Sequence, residues 1–161
     1  TDIKIGYLPE ERGLYKKEKV GHIMRYFAEL KGLHKAEAEQ FIDHFLARVD
    51  LSDKKNIRLD KLSSGQQQKV QLGITMMGEP DLLILDEPTK GFDPVNRKLL
   101  LDIVEESRQK GATVMMITHH MEDALKYGNR LIVMKEGRII QDLNKEEKAK
   151  MKISDYYQLF E

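Results

Sequence analysis

Two adjacent carboxylates follow a short apolar run in the middle of the chain. The run is Leu82–Leu85, and Asp86 and Glu87 come directly after it. Unbroken apolar residues that end at acids are typical of a parallel strand that is buried on both faces and exposes its carboxyl end. At such a place one carboxylate can hold Mg²⁺ and its neighbour can act on an attacking water, which is the chemistry of phosphoryl transfer. A strand that merely ends at two acids also fits the pattern, because short motifs match by chance.

A second candidate site is a run of small and polar residues, Ser63-Ser64-Gly65-Gln66. Small residues leave the backbone free to approach an anion, and the start of a helix presents unpaired N–H groups and the positive end of its dipole. The run therefore fits a phosphate site. An ordinary helix capped by Ser63 or Ser64 explains the same residues, and taken alone it is the simpler interpretation.

The elements that must position these residues begin with a helical segment. Apolar residues recur at helical spacing over Val20–Lys31 and Ala36–Val49, which predicts two amphipathic helices. A third helix is expected to begin at Ser63–Gly65 and to end before Pro80. Ahead of them, residues 3–7 alternate between apolar and polar like a strand already under way, with no initiator methionine, so the sequence is expected to begin within a domain.

Strands and helices alternate in the rest of the chain. Asp93-Pro94 supplies an N-cap and a proline at the first helical position, and Gly111 is expected to close that helix. The elements expected beyond it are a buried strand at Thr113–Thr118, a helix at Met121–Tyr127, a hairpin of Leu131–Met134 and Arg138–Ile140, and a solvated helix at Lys145–Lys150. The chain is thus predicted to be an α/β protein, with a helical subdomain over about residues 14–78 and parallel strands plus a C-terminal hairpin over about residues 79–161.

The composition limits the classes of function. Lysine and arginine together number 27, as do aspartate and glutamate, so there is no bulk positive charge to attract nucleic acid or anionic lipid. The absence of cysteine excludes disulfides and cysteine-based chemistry, and it favours a reducing compartment such as the cytosol. No apolar run approaches the ~20 residues of a spanning helix, so any role at a membrane is expected to be peripheral.

The order of four motifs resembles the ABC ATPase family. These motifs are LSSGQ at 62–66, LLILDEP at 82–88, GFD at 91–93 and ITH at 117–119. They are similar to the signature, Walker B motif, D-loop and switch histidine of the family, which come in the same succession. The resemblance covers nearly the whole chain and implies a P-loop NTPase-like ABC ATPase core. Residues 7–15 look like the Q-loop region of NatA-type exporter subunits, whereas residues 127–134 look closer to another ABC branch.

This resemblance implies a role for each candidate residue. Asp86 and Glu10 would bind Mg²⁺, Glu87 would be the general base or the residue that polarises the attacking water, and His119 would contact the γ-phosphate of ATP. A lone histidine at a strand end is more often structural, and it is the Thr-His-His-Met-Glu context of His119 that favours the catalytic role. Contacts to ATP held by a second subunit, and across the resulting dimer, are implied for Ser63, Ser64, Gly65, Gln66 and Asp93.

The sequence also departs from the family pattern. Ser64 stands where a second signature glycine is usual, Glu10 where the Q-loop has glutamine, and Phe92 where the D-loop has leucine. Glu10 remains an oxygen ligand for Mg²⁺ but adds a charge. No Gly-x-x-x-x-Gly-Lys-Ser/Thr phosphate loop occurs. Because positioning and charge stabilisation supply most of phosphoryl-transfer catalysis, the 161-residue chain is expected to be nearly inactive alone.

The function expected from the resemblance is an ATPase subunit that dimerises head to tail around ATP and energises a membrane permease from the cytoplasmic side. Tyr15, Val20 and Met24 are candidates for the permease contact, and a role in the internal core explains them equally well. The alternatives are a soluble ABC ATPase of DNA repair or translation, and a non-catalytic fragment that only binds a partner. The short span of residues 11–61, without sustained heptads, disfavours a coiled-coil DNA machine.

Overall fold

The computed structural model describes residues 2–11, 13 and 15–159. Arg12 and Leu14, which belong to the stretch compared with NatA-type subunits, lie outside the described residues. The chain forms two compact units, one that extends to Ile117 and one that begins at Thr118. The sequence predicts another division, into a helical part of about residues 14–78 and a part of about residues 79–161. That division concerns subdomains within the ATPase fold, and it stays a prediction.

The first unit is built on a parallel sheet of three strands. The strands are β1 (Ile5–Leu8), β2 (Leu82–Asp86) and β3 (Thr113–Ile117), in the order β1-β2-β3. The register aligns Ile5 with Leu82 and Leu82 with Thr113, so the carboxyl ends of all three strands meet at one edge. This edge carries the two acids that follow β2. The predicted α/β class with parallel strands is confirmed.

The described part of this unit has four α-helices, and they are α1 (Val20–Leu30), α2 (Lys35–Arg48), α3 (Ser64–Met76) and α4 (Pro94–Gln109). The predicted helices agree with these bounds to within a few residues, because apolar residues at helical spacing need one buried face. In α1 that face includes Ile23, Met24 and Ala28. Two short 3₁₀ turns, at Ser52–Lys54 and Leu59–Lys61, lead from α2 into α3.

Helix α3 is fixed at its C-terminal end by close contacts to the sheet and to α1. A Cβ atom placed on Gly6 of β1 would lie 2.5 Å from the carbonyl oxygen of Thr75, so only glycine allows this approach. The side chain of Lys31 donates to the carbonyl oxygens of Ile74 (2.7 Å) and Met77 (3.3 Å). These bonds satisfy acceptors that have no partner within the helix. Helix α3 therefore has a fixed direction relative to β1.

One face of the sheet is buried and the other is not. Leu8, Leu83 and Leu85 are fully buried, whereas Tyr7 and Met115 on the opposite face are more than half exposed. Helix α3 contacts β1, and α4 contacts β3. The expectation that β2 is buried on both faces is therefore wrong, because its residues alternate between buried and half-buried. The expectation of a buried β3 is also wrong, because none of its residues is buried. Within the described residues, helices pack on one face only.

The second unit contains a hairpin and three short helices. The elements are α5 (Met121–Lys126), β4 (Arg130–Lys135), β5 (Arg138–Asn144), α6 (Lys145–Lys150) and α7 (Ile153–Gln158). The predicted hairpin is confirmed, and it turns at Glu136 (φ 51°) and Gly137 (φ 74°), the positive angles that match the twist of two antiparallel strands.

Helix α6 differs from its prediction at one residue. A charged run was expected to be solvated throughout, but Lys148 is only 4% exposed. Its Nζ donates to the carbonyl oxygens of Tyr127 and Gly128, the latter at 3.0 Å. These acceptors follow the last turn of α5, where helices favour cations. Burial lowers the pKa of Lys148 below its ordinary value.

Candidate active site

The two acids after β2 are held in different environments. Asp86 ends the strand and is half-buried, whereas Glu87 is only 5% exposed. Glu87 has φ of 47°, a left-handed conformation that costs a non-glycine residue about 1–2 kcal/mol. Its backbone N–H donates to the carbonyl oxygen of Ile117 at 2.9 Å, so the end of β3 fixes the strained residue. Such strain persists where the surrounding structure determines it, and it is common at functional sites. No feature of the sequence indicated it.

Two consecutive turns carry the chain from Glu87 to α4. The N–H of Lys90 donates to the carbonyl oxygen of Glu87 at 3.1 Å, and that of Phe92 donates to the carbonyl oxygen of Thr89 at 3.1 Å. Gly91 has φ of 78°, which suits glycine. These two turns determine the path of the chain from Glu87 to Asp93, where α4 begins.

Asp93 is the N-cap of α4, as predicted. Its carboxylate accepts from the backbone N–H groups of Asn96 (3.0 Å) and Val95 (2.9 Å) and from the side chain of Asn96. The hydrogen bonds from Asn96, and secondarily that from Val95, hold the pKa of Asp93 below its ordinary value. Pro94 occupies the first helical position. The further role of Asp93 between two subunits remains a prediction.

The signature run forms a reciprocal cap at the start of α3. The hydroxyl oxygen of Ser63 accepts from the N–H of Gln66 at 3.2 Å, and Oε1 of Gln66 accepts from the N–H of Ser63 at 2.9 Å. Of the two serines proposed as caps, the structure therefore selects Ser63. The first backbone bond of the helix is donated by Gln67 to the carbonyl oxygen of Ser63, so the N–H groups of Ser64 and Gly65 precede intrahelical bonding.

This cap still leaves donors for an anion. The hydroxyl of Ser63 can donate its proton, and the side-chain amide of Gln66 retains its two N–H donors. Together with the N–H groups of Ser64 and Gly65 and the positive end of the helix dipole, these donors fit a phosphate group. The sequence predicted this set, and the structure places it at one helix end.

Phe92 connects the signature run to the loop after β2. A Cβ atom placed on Gly65 would lie 3.4 Å from the ring of Phe92, so the ring packs directly against the glycine. The departure from leucine thus has a structural consequence, since the larger ring reaches the start of α3. Sequence reasoning treated Phe92 as a conservative change in an apolar slot and did not predict this contact.

Glu10 is paired with a lysine that the sequence analysis missed. Nζ of Lys90 lies 2.5 Å from Oε1 of Glu10, two residues beyond β1. The carboxylate of Glu10 raises the pKa of Lys90 above its ordinary value, and Glu87 and Glu11 act in the same direction. The available signal was the accumulation of acids after two neighbouring parallel strands, because such an edge favours a nearby cation.

His119 lies in the second unit, between β3 and α5. The hydroxyl oxygen of Thr118 accepts from the N–H of His120 at 3.0 Å, which shapes the turn around His119. His120 is the residue before the first turn of α5. The role of His119 at a γ-phosphate stays a prediction.

The oxygen donors present fit a magnesium ion only in part. Across the described parts of the chain, no group of three or more histidine, aspartate or glutamate residues is arranged to hold a metal ion. Asp86 and Glu10 can supply carboxylate oxygens, which Mg²⁺ prefers, but they fill a minority of its six positions. This donor set fits an ion that is held mainly by water and nucleotide phosphates, as is usual for Mg²⁺.

Comparison with known proteins assigns the family. The family model described as ABC transporter matches residues 1–90, more than half of the chain. The chain belongs to the ABC transporter ATP-binding family. The motifs can accordingly be called by their family names, and the expected ABC ATPase core is confirmed. Membership of this family implies that the domain binds a nucleotide.

Several ABC relatives match most of the chain. An uncharacterized ABC transporter ATP-binding protein of Methanocaldococcus jannaschii is 42% identical over 137 residues, covering 85% of this chain and 52% of that protein. The uncharacterized ABC transporter ATP-binding protein YhaQ of Bacillus subtilis is 41% identical over 146 residues, covering 90% of this chain and 49% of that protein. The chain therefore spans about half the length of these curated relatives.

A solved structure supports the fold over nearly all of the chain. The "Structure of ATP binding subunit of ABC transporter" superposes with a TM-score of 0.88 at 26% identity, covering 98% of this chain and 69% of that chain. In the ABC chain described here, the first unit brings together Walker B, the D-loop, the signature and the Q-loop position. The Gly65–Phe92 and Glu10–Lys90 contacts join these motifs in pairs.

Proposed function

We propose that this chain supplies the signature, Walker B, D-loop and switch residues of a subunit that hydrolyses ATP and energises a membrane permease. The single observation that carries the proposal is Glu87, a buried acid held in a left-handed backbone conformation directly after Asp86. A strand that merely ends at two acids has no need of a strained backbone at the second. A fixed carboxylate beside a metal-binding acid suits the activation of water.

Glu87 is proposed as the general base. Its carboxylate accepts a proton from the attacking water, and its buried position limits the reorientation that a solvated side chain would allow. Asp86, half-buried at the strand end, is proposed to bind Mg²⁺ together with Glu10. Bound Mg²⁺ would neutralise phosphate charge. His119 is proposed to contact the γ-phosphate, a role that rests on the family motif.

A second copy of the subunit is proposed to complete each site. The donors at Ser63–Gln66 lie at the start of α3, and they are proposed to bind ATP held by the other subunit. Asp93 would then link the two sites through the D-loop. In a closed two-fold dimer both subunits use the same surface, so each signature run can reach the ATP held by the other subunit.

The permease contact is proposed at a cavity beside α1. The cavity has a volume of about 230 Å³ and is lined by Tyr15, Glu18, His22, Ile23 and Tyr26. The rings of Tyr15 and Tyr26 pack edge to face with centroids 6.5 Å apart, and both side chains are exposed. Aromatic side chains of this kind, with one apolar and one polar end, are enriched at protein interfaces.

The three residues expected from the sequence to be candidates for this contact differ in their exposure to solvent. Tyr15 is exposed, whereas Val20 and Met24 are fully buried and therefore serve the internal core. No helix within the described residues is long and apolar enough to cross a membrane. Assignment to a NatA-like exporter branch and a location on the cytoplasmic side of the membrane, through the permease, are part of the proposal.

The test uses Glu87→Gln and Asp86→Asn in the complete reading frame that contains these 161 residues. Glu87→Gln keeps the shape of the side chain but removes its charge, so ATP binding should survive while hydrolysis fails, and ATP should shift the protein from monomer to dimer on size exclusion. Asp86→Asn should weaken Mg²⁺ binding and give no such dimer. An ATP-dependent dimer with both variants, or with neither, would contradict the separate roles.

A further inference from the structure

The loop after β2 and the loop after β1 are joined by one ion pair. Nζ of Lys90 lies 2.5 Å from Oε1 of Glu10, although the two residues are 80 positions apart in the sequence. Leu8 and Leu85 are paired in the register of β1 and β2, so both loops leave the same edge of the sheet. Lys90 therefore bridges the Q-loop position and the loop that connects Walker B to the D-loop.

Lys90 faces three carboxylates. Its direct partner is Glu10, and Glu87 and Glu11 lie near enough to stabilise its charge. Acids that follow two neighbouring strands thus act on the ammonium group of Lys90. The side chains of Lys90 and Glu10 are 64% and 45% exposed, so burial does not lock the pair. An exposed pair of this kind is weak and can exchange its partner.

We propose that Lys90 is the resident counter-ion of this edge, which a divalent cation must displace in order to bind at Glu10. The inference rests on the proposed function, since it takes Asp86 and Glu10 as ligands of Mg²⁺. Lys90 is then a positioning residue. It holds Glu10 at the edge before the ion arrives, and it lowers the affinity of the edge for cations through its own charge.

The same arrangement accounts for a departure in the sequence. An acid at position 10, where the family has a neutral glutamine, adds a negative charge to the sheet edge at which Glu87 follows β2. Two carboxylates that share one edge without a counter-charge would repel each other. Lys90 supplies that charge from the neighbouring loop, so the substitution at position 10 and the lysine at position 90 form one functional unit.

The experiment measures binding of Mn²⁺ alone, as a probe for Mg²⁺, to the 161-residue chain by electron paramagnetic resonance of the free ion. Lys90→Gln should tighten Mn²⁺ binding roughly fivefold at low ionic strength, the factor that one unit charge about 8 Å from a divalent ion gives in water. Lys90→Arg, which keeps the charge, is the matched control and should bind Mn²⁺ like the wild type. The gain should shrink as salt is added, because salt screens exposed charges.

The same Mn²⁺ measurement in the Glu10→Gln background tests whether Lys90 and the cation compete for the carboxylate of Glu10. In that background Lys90→Gln should give a clearly smaller gain, since the carboxylate for which lysine and cation compete has gone and only the repulsion by the lysine charge remains. A gain as large there as with Glu10 present, or unchanged Mn²⁺ affinity in Lys90→Gln, would overturn the inference even if Asp86→Asn weakens binding as the proposed function requires. If neither Asp86→Asn nor Glu10→Gln alters Mn²⁺ binding, the metal assignment fails, and the inference fails with it.

Discussion

Gly73 of α3 provides a sharp test of how the signature helix is packed. A Cβ atom at this position would lie 2.6 Å and 2.7 Å from ring carbons of Phe45 and 3.0 Å from the terminal methyl of Met24. Both neighbours are buried, and the ring of Phe45 stacks on that of Phe41 with centroids 5.8 Å apart. The ring therefore has little room to retreat when Gly73 is replaced by alanine.

The expected magnitude follows from two opposing effects. Overpacking of a buried site costs about 1–3 kcal/mol, whereas alanine gains about 1 kcal/mol over glycine in a helix interior. Gly73→Ala should thus lower the free energy of unfolding by up to about 2 kcal/mol. Gly65→Ala on the same helix is the matched control. Its Cβ would lie 3.4 Å from the ring of Phe92, an ordinary contact, so its stability should be unchanged or slightly raised.

The assay is urea unfolding of both variants and the wild type, followed by circular dichroism. Gly73→Ala should be less stable than Gly65→Ala by about 1–2 kcal/mol, with equal dependence on urea, because only Gly73→Ala creates a collision with buried neighbours. If Gly73→Ala is as stable as Gly65→Ala, the packing of Phe45 against α3 is not as described.

Three further predictions concern the ion pair between α2 and α4, the buried lysine of the second unit, and nucleotide affinity. Arg48 donates to both carboxylate oxygens of Glu106 at 2.7 and 2.5 Å and lowers the pKa of Glu106, so Glu106→Gln should cost about 0.5 kcal/mol above the ordinary carboxyl pKa. That difference should vanish as the pH falls through the lowered pKa, and thermal melts that stay apart in acid would contradict it. Lys148→Met should lower the free energy of unfolding by about 1–3 kcal/mol, because two carbonyl oxygens lose their donor. Hydrogen exchange of the β4–β5 amides should then be faster, and unchanged exchange would contradict a stabilising role of Lys148. Calorimetry of the 161-residue chain should show only weak ATP binding, since no phosphate-loop sequence is present, and micromolar affinity would refute this.

Local signals in the sequence predicted most of the elements. The spacing of apolar residues in α1 and α2, the cap at Asp93 and the turn at Glu136 each act over a few neighbouring residues, so their structural outcome does not depend on distant parts of the chain. The acids after β2 and the signature run could be proposed for the same reason, because each is contiguous.

Features that depend on distant residues could not be predicted. The exposure of β3 depends on which helices cover the sheet, and a strand with apolar residues at four of its five positions gives no indication of an uncovered face. Lys148 looks solvated in a charged run until the carbonyl oxygens after α5 are placed beside it. The left-handed backbone of Glu87 and the Lys90–Glu10 pair both arise where neighbouring strands end together, which only the sheet order reveals.

The release of phosphate from ATP by the complete reading frame, with Glu87 and with Glu87→Gln, tests the central claim most directly. A buried carboxylate fixed beside Asp86 should be required for water activation, so the variant should lose hydrolysis by a factor of about 100 or more while it still binds ATP. Hydrolysis by Glu87→Gln at the rate of the wild type would mean that the acids after β2 only terminate a strand.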